Sequence, residues 1–167
     1  GGRFVDTEGG QATLIVTPSG ESILVDAGWP GYDGRDAKRI VAAAKKAGLT
    51  RIDYLLMTHY HLDHVGGVPQ LAEAFPIGTL IDHGTNTETN KRARELEDAY
   101  LRVAASGAKR RQVKPGDVLK LKDIRIDIVT ARGEKIPKPL KGGGQKNALC
   151  AEIERKADDP SENARSI

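Results

Sequence analysis

Three of the four histidines in this chain, together with one carboxylate, fall within six residues: His59-Tyr60-His61-Leu62-Asp63-His64. Neutral imidazole and carboxylate are donors that suit zinc and its transition-metal neighbours, and a hydrophobic core has no use for such a cluster. His59 and His61 are two residues apart, so an extended or turning backbone can aim both rings to one side. Asp63 and His64 follow at once and can offer a second pair of donors close by. Two metal ions about 3.5–4 Å apart are a recurrent hydrolytic device, and such an ion lowers the pKa of a bound water to about 7 while polarising the bond to be cut. The expected chemistry is metal-dependent hydrolysis, with His59, His61, Asp63 and His64 as candidate metal ligands.

The elements that must position this cluster are legible as alternating strands and helices. A short strand over Arg3 to Asp6, a β-branched apolar strand over residues 11–17 and a returning strand over 22–26 are expected, the last two joined by Pro18-Ser19-Gly20 as an antiparallel pair. Residues 36–47 place Ile40, Val41, Ala44 and Ala47 on one helical face, with Gly48 as the stop. The nearly continuous apolar run Ile52 to Met57 reads as a strand buried on both faces. The cluster follows it directly, at the strand edge where α/β sheets usually bind ligands. A helix over 65–75, a strand over 79–82 and a long charged helix over 88–106 with Leu96, Tyr100 and Val103 as its stripe come next. This alternation predicts an α/β layered fold. Val118 to Leu121 and Ile124 to Val129 read as a hairpin, residues 131–146 as a loop, and 147–154 as a further strand. The last eleven residues are polar and have no evident partner.

One domain over residues 1–167 is the natural expectation for this length. The single cysteine, Cys150, excludes an intrachain disulfide and a multi-cysteine zinc ribbon, and reads as a small core residue rather than a nucleophile. A disulfide-free chain fits cytoplasm or periplasm alike. The first residue is Gly1 rather than Met, which leaves a removed leader open, and no apolar run approaches a membrane span. The formal charge of +3 hides an asymmetry: residues 105–146 hold 12 Lys+Arg against 4 Asp+Glu. Such a stretch can attract phosphate or nucleic acid. A solvated surface is the better reading, because no aromatic residue is interleaved to stack on bases. Gly142-Gly143-Gly144-Gln145-Lys146 lacks the spacing of a phosphate loop. Trp29 fits either the border of a cleft or an exposed loop.

Thr58-His59-Tyr60-His61-Leu62-Asp63-His64-Val65-Gly66-Gly67 resembles the HxHxDH signature of the metallo-β-lactamase superfamily. Gln11 to Gly28 is similar to that family's opening hairpin, in which an acidic residue before glycine, here in Asp26-Ala27-Gly28, lies beneath the metal site. Within the family, the chain resembles the hydrolase domain related to that of bacterial DNA-uptake competence proteins. The resemblance implies an αββα sandwich, of which this chain is the N-terminal portion, binding two zinc ions. His59 and His61 would hold the first ion, Asp63 and His64 the second. Asp63 would also be the catalytic residue that orients the attacking hydroxide and takes part in proton transfer. Asp26 would fix the tautomer of a ligating histidine, with a plain turn residue as the equal alternative.

A complete member of the family has another histidine, a bridging aspartate in a Gly-Asp turn and a final histidine downstream. Here one histidine follows His64. This is His83, and in Asp82-His83-Gly84 it reads as a polar turn or a substrate contact rather than a ligand. Asp117 follows Gly116 in a turn and is a poor bridging candidate. Hydrolytic zinc usually takes three protein ligands plus water, so two ions sharing four groups are under-ligated. The expectation is that the chain ends where the second half of the sandwich would begin. An apolar sheet face would then be exposed, and a missing C-terminal half or a second chain would complete the site. The function expected is a zinc-dependent hydrolase using a metal-activated hydroxide on a phosphodiester or other anionic substrate, a small molecule included. The alternative is a catalytically incomplete metal- or nucleic-acid-binding fragment.

Overall fold

The computed structural model describes residues 1–150 and 157–167. Strands β1 (Gly2–Phe4), β2 (Thr13–Val16) and β3 (Ser22–Val25) form an antiparallel meander. From β3 onward the connections are helical and the pairing turns parallel. Helix α1 (Arg35–Lys46) leads to β4 (Ile52–Leu56). A split helix, α2 (Leu62–Val65) and α3 (Val68–Ala74), leads to β5 (Ile77–Asp82), and α4 (Lys91–Ala105) leads to β6 (Lys109–Gln112). The strands lie in chain order in one six-stranded sheet, with β3 to β6 parallel.

The predicted elements hold because local signals agree with burial. Ile40 and Ala44 of α1 are buried. The helix ends where Gly48 takes φ 79° and the Leu49 amide donates back to Ala44 O, a left-handed stop that glycine adopts without a Cβ penalty. Helix α4 begins at Asn90, whose side chain accepts the Ala93 amide at 3.0 Å. Its stripe of Leu96, Tyr100 and Val103 packs, with Ile40, Ala44 and Leu71, on the sheet face formed by Leu14, Leu24, Leu55 and Leu80. Among the described residues no helix is long and apolar enough to cross a membrane.

The opposite sheet face differs from the expectation. Leu56 and Ile81 are covered by Val113, Leu119, Ile128 and Ala131. Leu119 belongs to the short ribbon of β7 (Val118–Lys120) and β8 (Arg125–Asp127), and Ala131 to the ribbon of β9 (Thr130–Ala131) and β10 (Glu134–Lys135). The large exposed hydrophobic residues, Phe4, Tyr32, Val129, Leu140 and Leu149, lie off the four central strands. A bare apolar sheet face is therefore not found among the described residues. Ile124 to Val129 alternates as the hairpin reading required, with Ile128 buried.

Four further expectations need correction. Part of the basic stretch is strand β6, Lys-Arg-Arg-Gln, exposed along its length. It carries no apolar residue to announce it, and its charges suit an edge position. The expected loop over 131–146 holds strand β10 and the end of β9. Of the strand expected over 147–154, residues Ala148–Cys150 form a 3-10 turn, with Cys150 exposed rather than in the core; the remainder lies outside the described residues. The polar segment after residue 157 does have a partner, because Glu162 is completely buried against the histidine region.

The helix expected over 65–75 breaks at Gly66-Gly67. A Cβ on Gly67 would fall on the carbonyl oxygen of Ala27, and one on Gly66 on Leu62 O and the Pro30 ring. These glycines let the loop after β3 lie against the start of α3, which brings Asp26 under the histidine cluster. At the far end of β5, Asp82 is buried and accepts from the Tyr100 hydroxyl at 2.8 Å, from Arg110 at 2.8 and 2.9 Å, and from the Gly84 amide. This carboxylate ties β5, α4 and β6 together.

Two outcomes follow for stability. Gly67→Ala has ordinary helical φ but no room, and is expected to destabilise the chain by about 1–3 kcal/mol, as overpacking does. Tyr100→Phe removes one hydrogen bond to a charged group and is expected to cost about 1.5–3 kcal/mol. Both are checked by the midpoint of urea unfolding at unchanged slope.

Candidate metal centre

The cluster occupies the loop that leaves the C-terminal end of β4 and enters α2. Its geometry starts from Asp26, which follows β3, is fully buried and sits at φ 58°, a left-handed conformation that Asp tolerates better than most residues. Asp26 Oδ1 accepts the Thr58 amide at 2.8 Å. Its Oδ2 accepts the Thr58 hydroxyl at 2.7 Å and lies 2.8 Å from His64 Nδ1. Of the two readings of Asp26, support of a histidine is the one the geometry bears out.

These contacts fix the tautomers. A carboxylate only accepts, so His64 donates from Nδ1 and its Nε2 lies toward Asp63 Oδ2, 3.5 Å away. The Thr58 hydroxyl spends its proton on Asp26, so its lone pair faces His59 Nδ1 at 3.0 Å, and His59 donates there. The Ser166 hydroxyl lies 3.2 Å from the same nitrogen. Among the described residues, the buried His59 Nε2 has no hydrogen-bond partner. His61 Nε2 lies 2.8 Å from Glu88 Oε1 and donates to it, leaving Nδ1 bare. Each of the three rings thus has one nitrogen held by an oxygen acceptor and the other free for a metal or a proton.

The rings are close together: the His59 centroid is 4.1 Å from that of His64 and 4.8 Å from that of His61. Burial, and next the neighbouring His64 and His61, push the His59 pKa down to about 4. Burial opposes the charged form of His64 too, but the hydrogen bond to Asp26 and the charges of Asp26 and Asp63 outweigh it and raise its pKa. Neutral His59 is the form a metal requires. Among the described residues, however, no three His, Cys, Asp or Glu side chains are gathered as a group that could hold an ion. The donor chemistry and the orphaned His59 Nε2 fit a transition metal, while the donor atoms remain ungathered.

Asp63 is part-exposed, and the Gln11 amide donates to its carbonyl at 3.0 Å. With His61 it borders a cavity of about 280 Å³ also lined by Trp29, Leu62, Asn90, Arg92 and Leu96. Trp29 therefore borders a cleft. No residue of the basic 105–146 stretch lines it.

His83 is buried and makes no side-chain contact to the three rings among the described residues. Its Nε2 bonds Glu162 Oε2 at 2.8 Å, its ring meets Tyr60 edge-on at 5.2 Å, and its Nδ1 has no partner among the described residues. Glu162 also accepts the Tyr60 amide and the amide and hydroxyl of Thr87. Burial alone would raise the Glu162 pKa; the hydrogen bonds from His83, Thr87 and Tyr60 hold it down to about 2. The Ile167 amide donates to Thr58 O, so residues 162–167 lie alongside the cluster. Asp117, bonded to the Lys114 amide within its own turn, takes no part.

Thr58, Glu88, Glu162 and Ser166 escaped sequence reasoning. Thr58 adjoins the motif and could have been found as an obligate partner for an imidazole. Glu88 looked like an ordinary charge at a helix start, and Glu162 lay in a polar stretch without periodicity.

Comparison with known proteins bears on the family and the fold. The family model described as metallo-beta-lactamase superfamily matches residues 5–144. Ribonuclease Z of Methanopyrus kandleri is 28% identical over 130 residues, 75% of this chain and 41% of that protein. A hydroxyacylglutathione hydrolase of Xylella fastidiosa is 37% identical over 120 residues, 71% of this chain and 36% of that protein. Among solved structures, a subclass B3 metallo-beta-lactamase of Bradyrhizobium japonicum superposes with a TM-score of 0.52 at 23% identity, over 79% of this chain and 50% of that one. The Rm3 metallo-beta-lactamase gives 0.54 at 16%, over 78% and 49%. The chain spans less than half the length of these curated relatives and about half that of the solved structures. A family match over residues 5–144, with the sheet order and the histidine loop in place, means that the chain belongs to the metallo-beta-lactamase superfamily.

Proposed function

We propose that this chain carries the zinc-binding part of a hydrolase, with His59, His61, Asp63 and His64 as protein ligands. The observation that carries the reading is the tautomer pattern. Three imidazoles within one loop each have one nitrogen committed to Thr58, Glu88 or Asp26, and the other without a hydrogen bond among the described residues, in the case of His59 while buried. Metal-ligating histidines show this arrangement, because the outer hydrogen bond fixes the ring and raises its basicity.

Bound at these residues, zinc would supply a Lewis acid and an activated water. The chain's own groups do the rest. Asp26 holds His64 by its Nδ1–H and Thr58 by its hydroxyl, so neither ring nor loop needs to reorganise to present Nε2. Asp63, which borders the cavity and lies 3.5 Å from His64 Nε2, would accept a proton from a nucleophile and pass it on. Trp29, Leu62 and Leu96 supply an apolar wall that excludes water from one side of the cavity, and Arg92 supplies a positive charge for an anionic substrate. An acyl thioester or a phosphodiester fits that lining, and the hydroxyacylglutathione hydrolase and ribonuclease Z relatives are named for substrates of those two classes. Hydrolytic zinc takes three protein ligands plus water, so two ions sharing these four groups would draw further ligands from another segment or a second chain.

The test is metal content per chain by elemental analysis after zinc loading, beside His59→Ala and Asp63→Ala. Bound zinc that both substitutions lower is the expected result; a chain that takes up none, or that keeps its zinc in both variants, defeats the reading. Asp26→Ala is expected to weaken zinc binding by about 10- to 100-fold through the released His64 ring, measured by competition with a chromogenic chelator. Where turnover of a chromogenic phosphodiester or thioester is detectable, Asp63→Ala is expected to lower kcat by about 100-fold or more, as loss of a general base does.

A further inference from the structure

We propose that Glu88 is the positioning residue of His61, holding its Nε2–H so that Nδ1 is the atom turned toward a metal. The inference rests on the metal-binding reading above and adds to it a residue outside the histidine motif. His61 is the most exposed of the three rings, at 28% of its side chain. Its single side-chain hydrogen bond among the described residues is the one to Glu88 Oε1 at 2.8 Å. His64 and His59 are held from beneath by buried Asp26 and by Thr58. His61 has no such floor, so its orientation depends on a carboxylate reaching it from the loop before α4.

That carboxylate is itself fixed. The Glu88 amide donates to Asn86 Oδ1 at 2.9 Å, and Asn86 is buried with its Nδ2 on Ala93 O. Glu88 Oε1 also accepts the Glu162 amide at 3.2 Å. The Glu162 side chain in turn clamps Thr87, beside Glu88, through both its amide and its hydroxyl. The Tyr60 hydroxyl reaches across to Gly84 O at 2.7 Å and holds the base of the same loop. One oxygen of Glu88 is thus pinned by two donors from different segments. A side chain serving only solubility at a helix start would not be braced from both sides. The arrangement makes the loop 83–90 and residues 162–167 working parts of the metal centre, although neither contains the motif.

The experiment uses the full chain with Zn2+ and Co2+ as probes, comparing Glu88→Ala, Glu88→Gln, the surface control Glu95→Ala and His61→Ala. Three readouts are taken: zinc affinity by chelator competition, the ligand-field spectrum of the cobalt-loaded chain, and the urea midpoint of the metal-free chain. Glu88→Ala is expected to weaken zinc by about 10- to 100-fold and to change the cobalt spectrum, with the urea midpoint near that of the parent. Glu88→Gln keeps an acceptor oxygen and is expected to fall between Glu88→Ala and the parent, while Glu95→Ala matches the parent. Parental affinity and spectrum in Glu88→Ala overturn the proposal. So does a loss of affinity matched by a collapse in the urea midpoint and not relieved by glutamine, which makes the role structural. A loss as complete as that of His61→Ala also overturns it, since Glu88 would then be a ligand. If the parent binds zinc and His61→Ala does not weaken it, the ligand reading fails, and this proposal with it, in a way separable from a failure at Glu88 alone.

Discussion

A buried carboxylate without partners is among the most costly groups a fold can contain. Asp26 avoids that cost by accepting from the Thr58 amide, the Thr58 hydroxyl and His64 Nδ1 together. Those three donors come from both ends of the loop that leaves β4. The carboxylate therefore fixes the loop's path as well as one ring, and through the Thr58 hydroxyl it fixes a second ring, His59. Much of the rest serves to bring Asp26 there. The parallel pairing of β3 with β4 sets the two strand ends side by side, and the glycines at 66 and 67 allow the chain after Ala27 to close against α3.

The sheet explains why the centre lies at this edge. Strands β3, β4 and β5 end together in a parallel register, so the residues just beyond them, Asp26, Thr58 and His83, emerge at one side. Parallel sheets built this way leave a crevice at their carboxyl ends, and the cavity beside His61 and Asp63 lies there. The buried hub at Asp82, the last residue of β5, locks α4 to β6 and so holds the far wall of the crevice, where Asn90 and Arg92 begin the helix.

Most of the fold was readable in the sequence where burial and local preference coincide. Ile52 to Met57, the α1 stripe with its Gly48 stop, and the period-two run around Ile126 each carry the physical signal of their own packing. The histidine cluster was readable for a different reason: its residue types have no cheaper explanation. What stayed hidden depends on contacts distant in sequence. Strand β6 is held by a neighbour and by the Arg110–Asp82 pair rather than by apolar content. Glu162 becomes a buried residue only because Tyr60, His83 and Thr87 surround it, 75 to 102 positions earlier. Glu88 shows the same limit. Its partner His61 lies 27 residues away, and no spacing rule links them.

The amide of Arg132 donates to the carbonyl of Arg165 at 2.9 Å, across 33 positions of chain. Both ends of the intervening stretch are thus fastened at nearly the same point, one by β9 and the other by the buried Glu162. Between two such anchors the entropy of closing a loop grows only with the logarithm of its length, by about 0.6 kcal/mol per doubling. A chain with many more or fewer residues between these anchors therefore keeps the same histidine cluster at little thermodynamic penalty. A change of length between the two anchors is accordingly the change that this architecture absorbs with least disturbance to the histidine cluster.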